Sequence, residues 1–146
     1  MVIAVKVPAE IERIGVWFLL LYRKGRYGYA FRRIPLSRGL FAIVDPEEYE
    51  ALSRYKWWAQ LGKHNGTFYA VRNEKRGRVM VRVWMHRVIM GAAEGLFVDH
   101  INHNGLDNRK ANLRLATAAQ NAWNSVRGKR GSSKYKGVAW DAASKK

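Results

Sequence analysis

Residues 96–128, "LFVDHINHNGLDNRKANLRLATAAQNAWNSVRG", constrain the fold more than any other stretch. "LFVDHI" and "NLRLA" read as two short strands, joined by a polar loop over 102–111. In "TAAQNAWNSVRG", Thr117 and Gln120 have the spacing of a capping box and Gly128 is a natural stop, which predicts a helix over 118–127. The order is strand, long loop, strand, helix. Asp99 and His100 are adjacent at the end of the first strand, so their side chains leave on opposite faces. Asn112 stands where the loop re-enters the second strand. Arg114 follows it by two and is expected on the same strand face. Asn121 falls in the first turn of the helix, with Asn124 on the same helical face.

Composition sets the partner. Lys and Arg number 27 against 11 Asp and Glu, a formal charge of +16, which points to nucleic acid first and anionic membrane second. The chain has no cysteine, which excludes disulfides and thiolate metal sites and leaves hard oxygen or imidazole donors. The apolar run Val16–Tyr22 is far too short to span a bilayer. It is followed at once by Arg23 and Lys24 without a small-residue cleavage site, so it fits no signal peptide. No membrane association and no small organic cofactor are expected, and the localisation expected is cytoplasmic.

Upstream, 1–33 is treated as an unassigned extension, and "YRKGRYGYAFRR" within it suits a flexible arm or a strand pair. A strand is expected over 40–44, then a helix over 46–54 with Asp45 as N-cap, Pro46 at the first helical position, and Glu47 and Glu48 in the first turn. "TFYAVRN" and "RVMVRVWM" alternate around the basic turn "EKRG" and predict a β-hairpin. "HRVIMGAAEG" suits a short helix closing at Gly91 or Gly95. "GKRGSS" reads as a linker.

The string "VDHINHNGLDNRKANLRLATAAQN" resembles the HNH endonucleases, and in particular the branch found in homing and phage enzymes, with the match covering 86–128. The segment before it, "IPLSRGLFAIVDPEEYEALSRYKWWA", also resembles phage members. The resemblance implies an α+β fold, a small ββα-metal nuclease core preceded by a β-hairpin-rich segment. The corresponding division is 34–85 for the β-rich part, 86–128 for the core and 129–146 for linker and tail. It implies one divalent ion, Mg²⁺ or Mn²⁺, held by Asp99 and Asn121, with His100 as general base and Asn112 bracing the loop and orienting the histidine. For a phage-encoded enzyme the host-cell cytoplasm is implied. Arg109, Arg114 and Arg127 are candidate phosphate clamps because a guanidinium matches phosphate bidentately. Lys134 and Lys136 are candidate nucleic-acid contacts in the tail. "SSKYKGVAWDAASKK" is similar to the opening strand of AP2-type DNA-binding domains, of which only fifteen residues are present here (132 to 146).

Simpler readings compete at several positions. "HNGLDN" holds an Asn-Gly pair, and Asp107 and Asn108 read first as turn residues. His103 stands where related sequences often carry glycine and is read as a loop residue. His86 is read as a packed, hydrogen-bonded histidine, and His64 as part of a surface turn. Trp57, Trp58, Trp84 and Trp123 are expected in the core. The leading expectation is a metal-dependent DNA endonuclease, monomeric or a weak dimer. The alternative is an inactive, basic DNA-binding protein of the same ancestry.

Overall fold

The computed structural model describes residues 8–63 and 66–120. Among these the chain forms three small antiparallel sheets and three helices. The N-terminal segment is not a loose arm. Ala9–Tyr27 form a 19-residue helix, α1, which starts behind Pro8 with Glu10 and Glu12 in its first turn and stops at Gly28 in the left-handed conformation (φ 82°). That arrangement suits the helix dipole, with acids at the start and Lys24 and Arg26 at the end. Sequence reading missed it because "YRKGRYGY" carries two glycines among aromatic and basic residues, whereas Arg23 secures the end by donating to the Phe31 carbonyl at 2.6 Å.

Strand β1 (Arg32–Pro35) then pairs antiparallel with β2 (Phe41–Val44), with Arg32 opposite Val44. Helix α2 (Pro46–Ser53) follows with proline in its first turn, as its sequence suggests. Asp45 precedes it but does not cap it with its side chain. Its Oδ2 instead accepts from the backbone N of Lys110 at 2.8 Å, across 65 positions of sequence.

The second sheet has order β3–β4–β5: Trp58–Leu61, Phe68–Arg76 and Val79–Trp84. The hairpin is tighter than the expected "EKRG" turn. Glu74, Lys75 and Arg76 continue the ladder opposite Val81, Met80 and Val79, so only Gly77 and Arg78 turn, Gly77 at φ 59°. A two-residue turn with positive φ matches the twist of the strands it joins. Strand β3 had no counterpart in the sequence reading, since four residues are too few for a period to declare itself.

Helix α3 (Met85–Met90) closes at left-handed Gly91. It leads to β6 (Phe97–His100), which pairs with β7 (Leu113–Ala116) in the third sheet, with His100 opposite Leu113 and Asp99 opposite Arg114. Asn112 is not part of β7. It ends a 3-10 turn over Lys110–Asn112 and is buried, so it does not share the exposed face on which Arg114 stands. After β7 the chain re-enters helical geometry at 118–120 behind a reciprocal capping box: Thr117 N donates to Gln120 Oε1 at 2.9 Å, and Gln120 N to Thr117 Oγ1 at 3.3 Å.

One apolar core joins the parts. Ile34, Val44, Leu52, Trp57, Val83, Met85, Ile89 and Leu113 pack together, so the boundary between 85 and 86 divides the motif from its support without dividing the core. Trp57 is buried there, its indole N–H donating to the Leu52 carbonyl at 2.8 Å. Trp58 and Trp84 are half-buried. No helix among the described residues is long and apolar enough to cross a membrane.

Candidate active site

The loop between β6 and β7 contains most of the polar chemistry, and it is a strap whose middle, Gly105–Asn108, is largely buried. Asp107 and Asn108 are 3% and 0% exposed. Turn-forming residues belong at the surface when nothing else holds them. Here the holding groups come from far along the chain: Ile43 N donates to the Leu106 carbonyl at 2.8 Å, and Asn108 N to the Ile43 carbonyl at 2.7 Å. These bonds make a short parallel bridge between Ile43 and Asp107. Gly105 N donates to Thr67 Oγ1 at 3.1 Å. A Cβ on Gly105 would lie 2.5 Å from the Phe68 carbonyl oxygen and 2.7 Å from the Tyr69 ring, so the glycine serves close approach. His103 has a left-handed φ of 60°, which accounts for a position where glycine is easily accommodated.

Asn112 ties the two ends of the strap. Its Oδ1 accepts from Asn102 N at 3.0 Å, while its Nδ2 donates to Asn102 Oδ1 at 2.9 Å and to the Asp107 carbonyl at 2.8 Å. Asp107 receives Arg109 in a two-pronged ion pair, Nε to Oδ1 at 2.7 Å and Nη2 to Oδ2 at 2.6 Å, and accepts from Asn102 Nδ2 at 3.0 Å. Burial pushes the Asp107 carboxyl up, but the Arg109 guanidinium and the other donors outweigh it and hold it below the usual carboxylate range. Arg109, expected on phosphate, is thus committed to the strap. Its guanidinium also stacks on the Tyr29 ring, 3.4 Å from the centroid.

Against this strap lies the end of β6. His100 is 5% exposed, and its Nε2 is buried without a hydrogen-bond partner among the described residues. Burial pushes its imidazole below the ordinary histidine value, while the Asn108 amide and the Asp99 and Asp107 carboxylates pull it back up. The Asn108 side chain lies beside the ring, yet neither of its amide atoms makes a well-formed hydrogen bond to a described residue. The His86 ring meets the His100 ring edge to face, centroids 5.1 Å apart, and Tyr69 touches both at 5.8 and 5.7 Å. His86 is buried as expected, but its Nδ1 lacks a partner among the described residues, and burial first, then His100 and Arg87, push its pKa down to about 3. Asp99 leaves the strand on the other face, its side chain 13% exposed. It accepts from Arg114 Nε at 3.1 Å and Nη2 at 2.8 Å.

The structure therefore brings His100 together with Asn108, His86 and Tyr69, and Asp99 together with Arg114. Sequence reasoning had set Asn108 aside as a turn residue and had given Tyr69 no role. The spacing of His86 before the motif was the one available signal. Asn121, Arg127, Lys134 and Lys136 lie outside the described residues, as do His64, Trp123 and the linker and tail.

Residues 83–123 match the family model described as HNH endonuclease. The chain is similar to a protein named as an uncharacterized HNH endonuclease of Acanthamoeba polyphaga mimivirus, 36% identical over 110 residues, which covers 74% of this chain and 54% of that protein. It is also similar to Protein 3.8 of Escherichia phage T7, 40% identical over 47 residues, covering 32% of this chain and 39% of that protein. The chain thus spans about half the length of the first of these relatives and less of the second. No solved structure matches it significantly. The comparisons lend no support to the AP2-like reading of the tail.

Proposed function

We propose that this chain is a metal-dependent DNA endonuclease in which His100 is the general base and Asp99, with Asn121, holds one divalent ion. The observation that carries the reading is the end of β6. A buried imidazole whose Nε2 has no hydrogen-bond partner among the described residues stands next in sequence to a half-buried carboxylate, inside the segment matched to the HNH endonuclease family. The two adjacent side chains leave on opposite faces, which separates proton transfer from cation binding.

The donor set suits a hard cation. Asp99 offers an anionic oxygen and Asn121 a neutral amide oxygen, while no group of three His, Cys, Asp or Glu among the described residues could hold a metal. Two oxygen ligands carrying one negative charge fit Mg²⁺ or Mn²⁺, which keep several waters and accept phosphate oxygens. Such an ion, when bound, supplies charge neutralisation for the attacked phosphate and the departing oxygen. His100 enters the reaction as a neutral base, since burial favours its uncharged form, and accepts the proton of the attacking water. Asn108, His86 and Tyr69 fix its ring plane. Asn112 acts through the strap. Arg114, whose side chain is 47% exposed beside Asp99, is the phosphate contact there, and Arg127, Lys134 and Lys136 are further candidate nucleic-acid contacts by their charge. The viral and phage sources of the relatives fit a mobile or phage-associated enzyme acting in a host cytoplasm.

Conversion of supercoiled plasmid to nicked circles with Mg²⁺ or Mn²⁺ tests the proposal. The wild type is expected to nick, and His100→Ala to lose about a hundredfold or more of the rate, the usual contribution of a positioned base. A wild type that leaves plasmid intact over wide ranges of metal and protein, yet shifts DNA on a gel, would overturn it in favour of a DNA-binding protein without catalysis.

A further inference from the structure

Helix α1 has two unlike faces. Val16, Leu20 and Arg23 are its less exposed positions, spaced four and three, and Arg23 is tied to the Phe31 carbonyl and stacks on the Phe31 ring at 4.4 Å. That side is turned towards Phe31. At about 100° per residue, the opposite side carries Ile11, Ile14, Phe18 and Leu21. Their spacing of three, four and three is the seam of a two-helix coiled coil. These four are 59%, 56%, 61% and 47% exposed, and Tyr22 beside them is 64% exposed. No residue of α1 is buried, so the helix contributes its best apolar surface to nothing within the described residues.

We propose that this outer face is a self-association surface on which a second copy of the chain lays its own α1 in antiparallel orientation. Charge distribution selects both the occupant and the direction. Glu10 and Glu12 occupy the first turn, Lys24 and Arg26 the last. A parallel copy would set acids against acids and cations against cations. An antiparallel copy lays Ile14 of each helix against Phe18 of the other and Ile11 against Leu21, and brings Glu10 of each helix to Lys24 of the other, both on the same flank of the seam. An anionic lipid surface fits less well, because the acidic end of the helix would be pressed into it along with the apolar stripe.

Sedimentation velocity on the full chain tests the assignment, and its readout is mass, independent of any nuclease activity. The wild type is expected to dimerise in the micromolar range, and Phe18→Glu to weaken association at least tenfold with an unchanged circular dichroism spectrum. Glu10→Lys is expected to weaken the dimer, and Glu10→Lys combined with Lys24→Glu to restore it. Because the chain has no cysteine, Ile14→Cys combined with Phe18→Cys is expected to form a disulfide-linked dimer on mild oxidation while Ile11→Cys does not. A wild type that stays monomeric at 100 µM overturns the proposal, whether or not it sediments with anionic vesicles. So does a dimer indifferent to Phe18→Glu, and equal cross-linking through Ile11→Cys would overturn the antiparallel arrangement.

Discussion

Burial pushes both histidines of the ring contact towards their neutral forms. His86, deeply buried, has its pKa pushed down to about 3, so the folded protein refuses a proton that the unfolded chain accepts at about 6.5. The folded value lies below the unfolded one. Stability from this residue is therefore complete above about pH 6.5 and is lost as pH falls towards 3, by up to about 1.4 kcal/mol per pH unit. His86→Phe keeps a ring against His100 and removes the titrating nitrogen. Urea unfolding at pH 7 and pH 5 is expected to show a smaller acid loss in the variant than in the wild type, and equal losses would contradict the assignment. Gly105 offers a second test at this scale. Gly105→Ala forces a methyl into the Phe68 carbonyl and the Tyr69 ring, neither of which can yield without moving a strand. A destabilisation of about 1–3 kcal/mol is expected from such overpacking, read as a lowered thermal midpoint. Tyr69 touches both imidazoles, so plasmid nicking should fall as well.

Among the elements, the strap from Ile101 to Asn112 decides whether β6 and β7 hold a site or only a hairpin. Asn112→Ala removes three hydrogen bonds and leaves the Asp107 carbonyl without that partner in a buried setting. A loss of about 1–3 kcal/mol is expected, as for leaving one buried polar group unsatisfied, with Leu113 and Val98 amides exchanging faster in hydrogen-exchange measurements. What could be read beforehand at this scale was the local part. The strands flanking the loop, the Thr117–Gln120 box, Pro46 at a helix start and Gly91 at a helix end are all short-range devices, complete within a few residues. The strap's burial was not legible, because Asp107 and Asn108 are turn residues by type and are buried only by Ile43, Thr67 and Phe68, far away in sequence. Helix α1 was missed for another reason. Its apolar period faces away from the core, and aromatic residues mixed with arginine and glycine suit an arm as well as a helix. In the site, Asp99, His100 and Asn112 were named through the resemblance their motif carries, whereas the contacts of Asn108 and Tyr69 with His100 needed the tertiary structure.

Across the whole molecule, on the proposed function, a charge of +16 over 146 residues would make binding to DNA chiefly a matter of released counterions. Affinity for duplex is expected to fall by about a thousandfold or more between 50 and 200 mM salt if six or more phosphates are contacted. Arg114→Ala should reduce the slope of log affinity against log salt by roughly one, measured by fluorescence anisotropy. A flat salt response would contradict phosphate-led binding. The same molecule-wide view bears on the link between Asp45 and Lys110, which joins chain segments 65 positions apart. Contacts of such long range close late in folding, after the entropy of the intervening loop has been overcome. During synthesis β6 leaves the ribosome before the strap and β7 do. Such a nascent chain carries His100 without its enclosure, so on the proposed chemistry cutting waits until the strap and β7 have also emerged.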